Sequence, residues 1–136
     1  MNKDLDKYLM DKHGFLYRDR SLPMTETCMC WGFDVDDGWF DILEKLGDGI
    51  SGLLELVTEE EREQFCVEQV KEKFGSLRYY FTAPDKLHQA ISALVRVAEA
   101  DSRATCELCG KRGEIRSGGW LKCLCDGCRE ASRQGE

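Results

Sequence analysis

Residues Cys106–Cys128 read CELCGKRGEIRSGGWLKCLCDGC, bracketed by two Cys-x-x-Cys pairs, Cys106 with Cys109 and Cys125 with Cys128. That spacing predicts a four-thiolate zinc site. A two-residue gap lets both sulfurs of a pair reach one ion from a tight turn, and Gly110 and Gly127 are expected to let the chain bend closely around it. Lys111–Leu124 then forms a short hairpin or loop that returns the second pair to the first. Two disulfides or four free thiols are the competing readings, and the specific spacing ranks them second. Cys123 is a competing ligand, because Cys-x-Cys-x-x-Cys offers three thiols for two places. Repetition of the first pair's spacing favours Cys125 with Cys128.

Upstream of this segment, Leu87, Ile91, Leu94, Val95 and Ala98 make the buried stripe of a helix that has Pro84 in its first turn and runs to about Arg103. It delivers the chain directly into Cys106. The preceding stretch, CVEQVKEKFGSLRYYFT, allows either a helix ending at Gly75 or a hairpin over residues 66–82. The hairpin is the preferred reading, turning at Gly75-Ser76, with Phe74 opposite Leu77, Glu72 opposite Tyr79 and Val70 opposite Phe81. Its other face would pair Lys73 with Arg78 and Lys71 with Tyr80. Thr58-Glu59-Glu60-Glu61 has the pattern of a capping box opening a short helix.

Nearer the N-terminus, Leu5, Tyr8 and Leu9 fall at helical spacing in a segment that ends near Gly14, leaving His13 as an exposed helix-end imidazole. Cys28, Cys30, Trp31, Phe33 and Val35 suggest an extended segment with both cysteines on one face. Asp36-Asp37-Gly38 is turn chemistry. From Trp39, the apolar residues Leu43, Leu46, Ile50, Leu53, Leu54 and Val57 recur at helical intervals, with Gly47-Asp48-Gly49 expected to kink or split the helix. Asp34, Asp36 and Asp37 lack the ordered ligand spacing of a calcium loop, so capping and solvation suffice for them. Cys28, Cys30 and Cys66, with Cys123, could compose a second metal site, although small buried hydrophobes are the commoner fate of such cysteines.

The chain of 136 residues has a formal charge of −7, and it is uneven: Asp34–Glu63 carries eleven acids against Lys45 and Arg62. Phosphate backbones bind where cations cluster, so nucleic acid is the lesser expectation. It would use Lys71, Lys73, Arg78, Lys111 and Arg112. No segment is apolar enough for a membrane span, and the charged first residues do not resemble a signal peptide. Eight cysteines without an export signal point to a reducing compartment, hence the cytoplasm. No Walker loop, nucleophile elbow or His-x-Glu deaminase element is present, and four thiolates leave no open coordination position. No enzyme and no small-molecule substrate are expected.

CMCWGFDVDDGWFDIL, QVKEKFGSLRYYF and the cysteine segment, in that order, resemble a group of small bacteriophage and prophage proteins with a C-terminal zinc motif and no settled activity. The resemblance implies an accessory protein in the bacterial cytoplasm. It further implies action by binding a larger host or phage protein, with components of defence systems among the targets. The expected architecture is α+β: helices packed on a short antiparallel hairpin, with a C-terminal zinc knuckle or ribbon. Residues 1–104 form the body, 105–130 the zinc module and 131–136 a frayed tail. One structural Zn²⁺ is expected. Docking would use the acidic surface from Asp34 to Glu63, with Asp34, Asp36 and Asp37 as its foremost residues, or the loop from Arg116 to Trp120, where Trp120 is either a lid over the metal, the preferred reading, or an exposed anchor.

Overall fold

A computed structural model describes residues 1–134. The fold is α+β, with five α-helices, a three-stranded sheet and a separate two-stranded ribbon among the described residues. Helix α1 (Lys3–His13) is opened by the Asn2 side chain, which accepts from the Leu5 amide. Helix α2 (Phe40–Leu54) follows a 3₁₀ turn at Asp37–Trp39, and the short α3 (Glu59–Arg62) carries the expected capping box of Thr58 and Glu61. Helix α4 spans Asp85–Ser102, with Pro84 just outside it as N-cap. No helix among the described residues is long and apolar enough to cross a membrane.

In the sheet, β1 (Phe33–Asp34) runs parallel to β2 (Cys66–Lys73), and β2 pairs antiparallel with β3 (Ser76–Thr82). The hairpin reading of residues 66–82 stands, and its register differs from expectation. Lys73 faces Ser76, Glu72 faces Leu77, Lys71 faces Arg78 and Val70 faces Tyr79, so the turn is Phe74-Gly75, one residue earlier than Gly75-Ser76. Both turn residues have positive φ, 54° and 84°, as a two-residue turn matched to strand twist requires. The Glu72 carboxylate accepts from the Gly75 amide at 2.8 Å and secures that geometry.

The stripes of α2 (Leu43, Leu46, Ile50, Leu54) and α4 (Leu87, Ile91, Val95, Ala98) join Trp39, Val67, Val70, Leu77 and Tyr79 in one core. Tyr17 and Tyr79 share a buried hydroxyl–hydroxyl hydrogen bond of 2.9 Å that satisfies both polar tips. Helix α2 does not split at Gly47-Asp48-Gly49, because those glycines are packing notches. A Cβ at Gly47 would meet the His13 ring at 2.6 Å, and one at Gly49 would meet Leu94 at 3.1 Å. His13, expected in solvent, is only 5% exposed. Cys28 and Cys30 do not lie on a strand, since Met29–Trp31 is a 3₁₀ turn closed by the Gly32 amide on the Met29 carbonyl.

Urea unfolding of glycine variants and alkaline titration both probe this packing. Gly38→Ala would drive a methyl into the backbone at Cys106 and to 2.5 Å from the Glu107 carbonyl, and should cost about 2–3 kcal/mol in urea unfolding. Gly52→Ala, at a helical position with nothing within 4 Å, should instead add about 0.5–1 kcal/mol. Burial also raises the Tyr17 and Tyr79 hydroxyls well above the ordinary tyrosine range. The unfolded chain therefore loses these protons first as pH rises through about 10, and their contribution, complete below that pH, declines above it. Alkaline titration followed at the tyrosinate band should show these two hydroxyls ionising only with unfolding.

Candidate metal centre

The Cys106 pair lies on the turn that follows α4, and the Cys125 pair lies where β5 passes into α5. Strands β4 (Glu114–Arg116) and β5 (Lys122–Leu124) pair antiparallel and return the chain, and α5 (Asp126–Gln134) begins between the last two cysteines. Residues 131–134 continue that helix with exposed side chains, and the end of the expected frayed tail, 135–136, is outside the described residues. One ligand atom from each of Cys106, Cys109, Cys125 and Cys128 lies within 4.8 Å of the other three. All eight cysteines are free thiols, and the Sγ atoms of Cys109 and Cys125 stand 3.6 Å apart. Tetrahedral metal–sulfur bonds of about 2.3 Å place sulfurs about 3.8 Å apart, so the donor set suits a divalent ion such as zinc.

Local backbone chemistry prepares these sulfurs. The Cys128 amide donates to the Cys125 sulfur at 3.3 Å and, as the largest influence, holds that thiol down to about 7. Burial opposes ionisation of Cys106, but backbone hydrogen bonds outweigh it and leave the thiol below its usual value. Cys128 is pushed up to about 12, chiefly by its hydrogen bond with Cys125. Four sulfurs this close cannot all carry charge without a counter-ion, which is the electrostatic demand that a dication meets. Gly110, at φ 82°, turns the first pair, as expected. Gly127 sits in helical backbone with nothing within 4 Å, so no close approach demands it.

The knuckle is held to the body by contacts that sequence reasoning missed. Trp39 Nε1 donates to the Thr105 carbonyl at 2.9 Å, and the Gly38 amide to the Glu107 carbonyl at 2.7 Å. The Glu107 carboxylate, only 2% exposed, accepts from the Asp36 amide at 3.1 Å and from Lys122 Nζ at 3.4 Å. Lys122 also lies 3.6 Å from Glu72 on β2, so one ammonium ties both sheets to the buried acid. A carboxylate enclosed within a Cys-x-x-Cys pair was the available signal, since such an acid needs a partner once buried.

Other expected residues are dispersed. Cys123 is buried and donates to the Arg103 carbonyl at 3.3 Å, so its hydrogen bond lies away from the cluster. Among the described residues, Cys28, Cys30 and Cys66 join no group of three or more metal donors. Asp37 accepts from the Asn2 amide and side chain, leaving Asp34 as the exposed member of its trio without a side-chain contact. Arg116 is engaged by Glu114, Asp126 and the Leu124 carbonyl. Trp120 is no lid: it is 91% exposed, beyond Gly118 and Gly119, which have nothing within 4 Å.

The chain is thus a small α+β protein with a four-cysteine cluster, placed as a metal ion would require, in a knuckle at its C-terminal end. No family model matches it, and no match was found among curated proteins or solved structures.

Ligation requires thiolates, so an ion competes with protons and is held more tightly as pH rises. A chelator competition run between pH 8 and pH 6 should show affinity falling by about tenfold or more toward the acid end. Metal analysis should find one ion per chain, and Cys109→Ala should lose it while Cys28→Ala retains it.

Proposed function

We propose that the cluster holds one structural Zn²⁺ and that the chain is a protein-interaction module of the phage accessory type. It acts in the cytoplasm of a bacterial host by binding a larger host or phage protein, defence components being among the targets that the sequence resemblance implies. It catalyses nothing. The reading rests on Trp120. A large amphipathic ring held in solvent at the tip of a ribbon, in a chain whose donor set leaves no open position, suits recognition better than chemistry.

A nucleic-acid reading has one observation in its favour, the cross-strand pair of Lys71 and Arg78 near the exposed, Lys73-covered Phe74. The acidic balance of the whole chain opposes it.

Affinity capture from a bacterial lysate, followed by mass spectrometry, tests the proposal. Trp120→Ala should abolish capture of the partner while changing unfolding free energy by no more than about 0.5 kcal/mol, as befits a surface position. Steeply salt-dependent binding to mixed DNA and RNA, with no protein captured, would replace this reading by the other.

A further inference from the structure

A cleft of about 430 Å³ opens where the end of α1 meets the end of α2 and α3. Phe15, Leu16 and Leu54 line it with apolar surface, and Glu55, Glu59 and Glu63 line it with carboxylates. Of these, Leu16 and Leu54 form a buried floor, and Phe15, with the Arg18 guanidinium 4.4 Å from its ring centre, is 40% exposed. Apolar surface left open beside charge is characteristic of a recognition site.

The charge here is predominantly negative. None of the three carboxylates has an ion pair or side-chain hydrogen bond among the described residues. Of the neighbouring cations Lys12 is paired with acids, whereas Arg62 and Arg18 bond, among the described residues, only to backbone carbonyls, Arg18 to those of Phe15 and Glu63, so the three carboxylates outnumber the cations left without an acid. Lys12 lies 3.0 Å from Asp48 and 3.9 Å from Glu44, and Arg62 Nε donates to the Leu54 carbonyl at 3.2 Å. The inner wall includes His13, whose Nδ1 faces the Ser51 hydroxyl at 3.3 Å. Its Nε2 has no hydrogen bond, Asp48 Oδ1 lying 3.1 Å away but out of line. The cleft also belongs to the most acidic part of the chain, which repels phosphate backbones and anionic lipid alike.

The geometry points to this cleft as the docking site for a basic, amphipathic segment of a partner protein. An apolar side chain of that segment enters between Phe15, Leu16 and Leu54, and flanking lysines or arginines meet Glu55, Glu59 and Glu63. The inference rests on the protein-interaction reading and names the chemistry of the partner. It adds a second contact surface to Trp120.

The test uses the full chain and a short labelled peptide of alternating lysine and leucine, with an all-lysine peptide of equal charge for comparison. The mixed peptide should bind more tightly than the all-lysine one and move the amide resonances of Phe15, Leu54–Leu56 and Glu63. The pair Glu55→Lys and Glu63→Lys, both exposed and at helix C-termini where lysine is tolerated, should weaken binding by about tenfold or more. Asp41→Lys with Asp101→Lys makes the same change in net charge on the groove between α2 and α4, and should weaken it by less than about threefold. Equal loss in both pairs, resonance changes centred on the α2–α4 groove, or no binding would each overturn the inference. Lysate capture that depends on Trp120 and ignores the Glu55 and Glu63 pair would also remove it, yet leave the parent reading intact.

Discussion

The seam between Asp36–Trp39 and Thr105–Glu107 is the constraint on which the rest of the molecule depends. Two short peptide segments, far apart in the chain, approach so closely that only glycine fits at position 38. Hydrogen bonds from the Asp36 and Gly38 amides and from the Trp39 indole then satisfy the polar groups enclosed there. Burying polar groups without such partners costs about 1–3 kcal/mol each, so the seam forms completely or is strongly penalised. Because Trp39 opens the run into α2 and belongs to the central core, the position of the first cysteine pair is fixed by the body as well as by its own turn.

The same seam shows why the knuckle is more than an appendage. Ser102, the last residue of α4, accepts from the Leu77 amide and donates to the Glu99 carbonyl, locking the helix end to β3 just before the chain enters Cys106. On the far side, Ile115 of β4 lies against Gly75 at the hairpin turn. Lys122 bridges the two sheets through Glu72 and Glu107. A helix, a hairpin and a ribbon thus meet at one corner, and displacement of the cysteine turn is felt in each.

Local patterns were legible in the sequence. The four clustering cysteines announce themselves by spacing, α2 and α4 by the periodicity of their leucines and isoleucines, and α3 by Thr58 and Glu61. What depended on a distant neighbour was not legible. Gly47 and Gly49 looked like helix breakers because His13 and Leu94, which fill the notches, are remote in sequence. The apolar alternation around Cys28 suggested a strand, whereas the turn chemistry of Met29–Gly32 prevailed. Trp120 suggested a lid, because a ring near thiolates has an obvious use, but the ribbon carries it outward. The acidic run from Asp34 to Glu63 was legible as a docking surface, but the cleft within it was not: Phe15 and Leu54 converge only when α1 lies along α2, and residue order gives no hint that Glu55, Glu59 and Glu63 share their space.

Phe74 is the described non-glycine residue at positive φ, and it stands at the exposed corner of the hairpin. A bulky L-residue in the left-handed region costs on the order of 1 kcal/mol relative to the asparagine or glycine that such turns prefer. The register makes the strain unavoidable, since sliding the pairing would take Val70 away from Tyr79. An aromatic ring is therefore displayed at this corner at the expense of turn stability, and the hairpin draws its persistence from Glu72, Ile115 and the core beneath. A hairpin excised from this chain would hold its shape far less well than the same residues do in place.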